Sequence, residues 1–204
     1  MVGNSAIDEG RKGDKNCHCS CAGNDHASAP IVYTARTGRI CQWMQFREPA
    51  TDESVQSFSS RYLFGPLGIS DYDWAVLQPS GITCCHGDIH ITPRDMAKLG
   101  QLFLDGGTWK GTRVISMEWV ERSTQHHINP MVPWADGYGY LWWLRNLRIN
   151  NNTVRSFKAM GWGGQEIFVV KDLAMVVVST GANYVGSVPC DEIMQRYALP
   201  AAGI

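Results

Sequence analysis

The chain has 204 residues, 44% of them hydrophobic and 18% charged, with a formal net charge of -1. That composition is globular, supports a substantial core, and gives no electrostatic reason for a nucleic acid or an anionic membrane as partner. No apolar run reaches bilayer-spanning length, the opening Met1-Val2-Gly3-Asn4-Ser5 lacks the apolar core of a signal peptide, and the chain as written is expected in the cytoplasm.

In chain order, residues 1–53 hold no sustained helical or strand period and are expected to be atypical, poorly ordered or non-native to the fold that follows. Residues 54–204 carry the regular pattern. The seven cysteines are an odd number, against a fully paired disulfide framework. Cys17-His18-Cys19-Ser20-Cys21 with His26, and Cys84-Cys85-His86, offer zinc-type donors. Neither shows the knuckle spacing with a second distant ligand pair that structural zinc uses, so no metal and no cofactor is expected.

Ser54 to Phe64 predicts a helix with Val55, Phe58, Tyr62 and Leu63 on its apolar face, broken by Gly65-Pro66-Leu67-Gly68-Ile69. Thr92-Pro93-Arg94-Asp95 reads as a helix start: a capping hydroxyl, a proline in the first turn and an acid near the positive end of the dipole. Met96, Leu99, Leu102 and Phe103 form its stripe, and Gly106-Gly107 its end. Ser116 opens a short helix holding Trp119 and Val120. Strands are expected over Tyr138 to Leu144, Glu166 to Val170 and Leu173 to Ser179, the last two a hairpin through Lys171-Asp172. Strand alternation at Trp142-Trp143 points one ring inward and leaves the other at a surface or cleft. Pro189 to Leu199 closes the chain as a helix with Ile193, Met194 and Tyr197 inward. Helices, then an antiparallel sheet, then a terminal helix make an α+β arrangement, an antiparallel sheet flanked by helices.

The series Ile91-Thr92-Pro93-Arg94-Asp95-Met96-Ala97-Lys98-Leu99-Gly100, Tyr138-Gly139-Tyr140-Leu141-Trp142-Trp143 and Gly161-Trp162-Gly163-Gly164-Gln165 resembles the C-terminal half of the serine β-lactamase-related hydrolases. That family includes class C β-lactamases, D-alanyl-D-alanine carboxypeptidases and related esterases. The resemblance implies a partial β-lactamase/penicillin-binding-protein-like fold. It also implies acyl transfer by a Ser in Ser-x-x-Lys, a Tyr that shuttles the proton, and a Lys-Thr-Gly-type strand that aligns substrate and helps form the oxyanion hole. A parent enzyme of this kind is often exported, which would place it in the periplasm.

Searched part by part, the 204 residues contain no Ser-x-x-Lys. The resemblance assigns Tyr33, in Val32-Tyr33-Thr34-Ala35, to the catalytic Tyr, with Ala35 standing where relatives carry Asn. It assigns Gly161, Trp162, Gly163, Gly164 and Gln165 to substrate binding and the oxyanion, in one of two registers: Ala159-Met160-Gly161 or Trp162-Gly163-Gly164 as the motif. Neither register begins with Lys, which favours an esterase- or amidase-like parent over a β-lactam site. The competing reading of these glycines is an ordinary turn between strands. His86, His90, His126 and His127 suggest a Ser-His triad only by composition, and the family works by Ser-Lys-Tyr instead. The expected function is a hydrolase fragment acting on an ester, amide or β-lactam, inactive alone. The alternative is a non-catalytic protein that keeps the cleft. The expected partner is a small acyl or peptide-like ligand, with self-association through an exposed sheet edge.

Overall fold

A computed structural model describes residues 29–31, 53–77, 82–83, 89–149, 152–184 and 190–203. Its frame is a five-stranded antiparallel sheet in the order β12-β11-β10-β9-β8. These strands are β8 (Gly137–Tyr138), β9 (Trp143–Ile149), β10 (Asn152–Met160), β11 (Glu166–Val170) and β12 (Met175–Ser179). A smaller sheet pairs β1 (Ala29–Ile31), β5 (Ile89–Ile91) and β2 (Tyr72–Trp74). Two short ladders, β3 (Val76–Leu77) with β4 (Ile82–Thr83) and β6 (Thr108–Trp109) with β7 (Thr112–Arg113), complete the strands. No helix among the described residues is long and apolar enough to cross a membrane.

Register decides which side chains share a face, because directly paired residues point the same way. Leu144, Phe157, Val169 and Val176 therefore line one face, and Trp143, Lys158, Phe168 and Val177 the other. The first face carries α3 (Pro93–Leu104), whose Met96 and Leu102 are fully buried. Thr92 caps this helix by accepting from the Asp95 N–H at 3.2 Å. Helix and sheet approach closely at Gly100, where an added Cβ would lie 2.5 Å from Val176 Cγ1 and 2.8 Å from Ile167 Cγ2. Phe103 and Trp142 pack with ring centroids 4.5 Å apart, and Trp142 meets Phe157 edge-on at 5.1 Å. Trp142 is thus core, while Trp143 is half-buried against Trp134 and Tyr138, as alternation requires.

The opposite face is covered by the chain's end: α5 (Cys190–Ile193), a π-helical turn (Met194–Ala198) and α6 (Leu199–Ala201). Cys190, Met194 and Leu199 pack there on Leu147, Val154, Phe168 and Val170. The expected inward residues Ile193 and Tyr197 instead face solvent, 42% and 67% exposed. The physical reason is the π turn, which needs an extra residue per turn and so shifts the buried stripe off the regular helical period.

A second π turn makes the same correction upstream. The helix α1 (Val55–Ser59) runs into a π turn (Ser60–Phe64) and then α2 (Gly65–Leu67), so Gly65-Pro66 does not break it. The end is Gly68, in the left-handed region at φ 64°. Phe64 and Leu67 become the core residues, while Phe58 and Tyr62 stay exposed and meet in a tilted pair with centroids 4.7 Å apart. Ser116 caps α4 (Met117–Thr124) as expected, burying Val120 but leaving Trp119 half exposed. The strand expected from Tyr138 to Leu144 is in fact a hairpin, turned by a Gly139 N–H to Trp142 O bond of 2.8 Å with Leu141 at φ 66°. The sequence pattern also passed over β10, whose polar and apolar residues alternate across two covered faces. The Lys171-Asp172 hairpin stands as expected, turned by a 3-10 segment at Lys171–Leu173.

Candidate functional site

Gly161 to Gln165 links β10 to β11 and carries all five residues assigned to substrate binding and the oxyanion. Its mouth is closed by the Gly161 N–H donating to Gln165 O at 2.7 Å. Gly163 and Gly164 sit at φ 89° and 105°, where L side chains are strained. A Cβ on Gly163 would also lie 2.6 Å from the Tyr184 ring, which would have to shift to admit it. Of the two readings of these glycines, the turn between strands describes where they are. Trp162 is half exposed, and Gly161, Gly163, Gly164 and Gln165 are buried.

The turn is held from the β12 side. The Asn183 N–H donates to Gly163 O at 3.0 Å, and Ser179 Oγ donates to Gly164 O at 3.2 Å. The Gln165 side-chain amide donates to Gly181 O. Peptide planarity then has a consequence for chemistry. With the Gly163 and Gly164 carbonyls fixed towards β12 and the segment after it, the N–H groups of Gly164 and Gln165 point the opposite way. Two consecutive main-chain donors on a rigid, largely buried turn can stabilise negative charge on a carbonyl oxygen. Gln165 Oε1 is buried and has no hydrogen-bond partner among the described residues.

Beneath the turn, on the face covered by α5, lies a buried ion cluster that the sequence reading did not single out. Lys158 Nζ is 3.2 Å from Glu166 Oε1 and 2.8 Å from Asp191 Oδ1, and Asp191 Oδ2 accepts from Arg145 Nε at 3.0 Å. Lys158 also lies 4.7 Å from the Phe168 ring centroid. Burial pushes the Glu166 carboxyl above its usual range despite the opposing pull of Lys158. Burial likewise raises the Cys190 thiol, 3.2 Å from Ser179 Oγ, which keeps it neutral and a poor nucleophile. The available signal was a lone Lys and a lone Glu in apolar runs on either side of the glycines, Phe157-Lys158-Ala159 and Glu166-Ile167-Phe168.

Tyr33 lies outside the described residues, as do the Cys17–His26 cluster and Cys84-Cys85-His86. Among the described residues no group of three His, Cys, Asp or Glu is placed to hold a metal ion. The histidines form no triad there: His126 Nε2 pairs with Asn129 Oδ1 at 2.7 Å, and His127 Nε2 donates to Arg122 O at 2.6 Å while its ring stacks on Tyr140. An open cleft of about 410 Å³ is lined by Arg155, Lys171, Asp172, Asn146 and His126, but by none of Gly161 to Gln165.

Comparison with known proteins agrees with the fold. No family model matches the chain. Over 97 residues, 48% of this chain, it is 36% identical to a 6-aminohexanoate-dimer hydrolase from Paenarthrobacter ureafaciens, of which the match covers 24%. A structure from Bacillus anthracis, provisionally named a 6-aminohexanoate-dimer hydrolase, superposes with TM-score 0.65 at 21% identity, over 84% of this chain and 44% of that one. A β-lactamase from Mycobacterium bovis superposes with TM-score 0.61 at 13% identity, over 80% and 62%. The chain spans about a quarter of the curated relative's length and under half of the first of these structures. Its α+β fold is of the β-lactamase and penicillin-binding-protein type.

Proposed function

We propose that this chain supplies the sheet side of an acyl-transfer site, with the Gly161–Gln165 turn as the element that receives the substrate carbonyl. The observation that carries this is the double anchoring of the turn, Gly163 O by Asn183 and Gly164 O by Ser179, which presents the next two N–H groups on its other side. Such donors act on charge that develops in the transition state. The substrate class is a linear amide or ester of a small acyl or peptide-like ligand. Support comes from the match to an enzyme named for an aminohexanoate dimer and from the absence of Lys at the start of either motif register. Tyr33 is the proton shuttle in this reading.

The nucleophile is the missing part. No Ser-x-x-Lys occurs in these 204 residues, so donors without an attacking group bind but do not turn over. That same fact favours a second reading, a ligand-binding protein that keeps the cleft. Purified chain is to be assayed with the linear 6-aminohexanoate dimer, p-nitrophenyl butyrate and nitrocefin, then treated with a fluorescent phosphonate and weighed intact. No turnover and no adduct is the expected result. A stoichiometric adduct on any Ser overturns it, and saturable binding without turnover supports the binding reading. The outer edge of β12, strand-paired only to β11 among the described residues, is where association of the isolated chain is expected.

A further inference from the structure

We infer that the first turn of α5 is a clamp for the glycine turn, with Asp191 and Cys190 as positioning residues that reach it by two separate routes. Through the first, Asp191 holds Lys158, and Lys158 holds Glu166 at 3.2 and 3.3 Å from its two carboxylate oxygens. Lys158 is the third residue before Gly161, and Glu166 follows Gln165 directly, so the ion cluster grips both strands where they enter the turn. Through the second, the Cys190 thiol meets Ser179 Oγ at 3.2 Å, and Ser179 Oγ donates to Gly164 O. The thiol itself lies 3.9 Å from Gly164 O. The first route therefore ends on the two strand residues that flank the turn and the second on the turn's backbone at Gly164 O, and both start from neighbouring residues of one helix.

The charges of the first route balance. Two cations, Lys158 and Arg145, face two carboxylates, Glu166 and Asp191, with Asp136 at 3.7 Å from Arg145 on the exposed side. A buried cluster of this kind costs desolvation that packed apolar side chains would avoid, so stability is a poor reason for having it. What it provides is direction. Asp191 ties the Lys158 and Arg145 strands to α5 and Lys158 ties β10 to β11, whereas apolar packing tolerates sliding. The role of the turn in acyl binding rests on the function proposed above; the clamp itself does not.

The test needs no substrate. The full chain is labelled with 5-fluorotryptophan, and the fluorine resonances of Trp162, on the turn, and Trp109, on the β6–β7 hairpin, are assigned with Trp162→Phe and Trp109→Phe. Asp191→Asn cuts the first route and Ser179→Ala the second. The expected result is a shifted or broadened Trp162 resonance in both, with Trp109 unmoved, and recovery towards the original position in Asp191→Glu. A role in stability alone would lower Tm and leave the Trp162 resonance in place at temperatures where the variant is folded. An unmoved Trp162 resonance in both folded variants overturns the clamp. If Asp191→Asn does not fold, Ser179→Ala decides alone, with movement in support and its absence against.

Discussion

The two faces of the five-stranded sheet are buried by different chemistry. The face under α3 is apolar where the helix packs: Leu102, Phe103, Trp142, Phe157 and Val169 cluster there, with Lys171 Nζ 5.7 Å from the Phe157 ring centroid at its edge. The face under α5 is apolar only at one end, where Met194 and Leu199 sit, and ionic at the end beneath the glycine turn. One face carries the larger apolar cluster, and the other adds to its own core an ionic hold beside one turn. The contrast shows that a sheet can be stabilised across one surface and aimed across the other.

Substitutions on each face should separate these roles. Lys158→Met leaves Glu166 without its cation and Asp191 with Arg145 alone, and is expected to cost about 3–5 kcal/mol in denaturant unfolding. Adding Glu166→Met restores charge balance, because Arg145 still faces Asp191, and should recover most of that loss. No recovery in the double variant would show that the cluster is not governed by charge pairing. On the face under α3, Leu102→Ala opens a cavity and is expected to cost about 2–5 kcal/mol, equally at every pH. A pH-dependent cost there would blur the distinction between the faces.

Titration sharpens the comparison further. Burial raises the folded-state pKa of Glu166 above its unfolded value, so between the two values the folded state holds the extra proton. Stability from this group is therefore greatest at or below the unfolded value and falls as pH rises towards the folded one, by at most about 1.4 kcal/mol per pH unit. Glu166→Gln should remove that slope, which urea unfolding at a series of pH values reads directly. The smallest effect belongs to α3 itself: Thr92→Ala removes the cap on Asp95 N–H and should cost about 1 kcal/mol, seen as a modest drop in Tm.

Legibility in the sequence followed the same divide. The α3 helix could be read because its cap, proline and stripe are local signals, and its partner face is plain alternation. The terminal helix was found, but its buried side was misread, since a π turn between Met194 and Ala198 leaves no mark in a regular period. At the candidate site, the glycines and Trp162 were visible as a motif. The groups that hold them, Ser179, Asn183 and Cys190, were not, because they come from a strand, a loop and a helix that only the fold brings to Gly163 and Gly164.

The most direct measurement is an amide titration. Nitrogen-15 labelled chain is followed by heteronuclear NMR as the linear 6-aminohexanoate dimer is added. The account predicts saturable shifts of the Gly164 and Gln165 amides, with the amides around Arg155 and Lys171 unmoved. Shifts confined to the Arg155 cleft, with the turn silent, would contradict it.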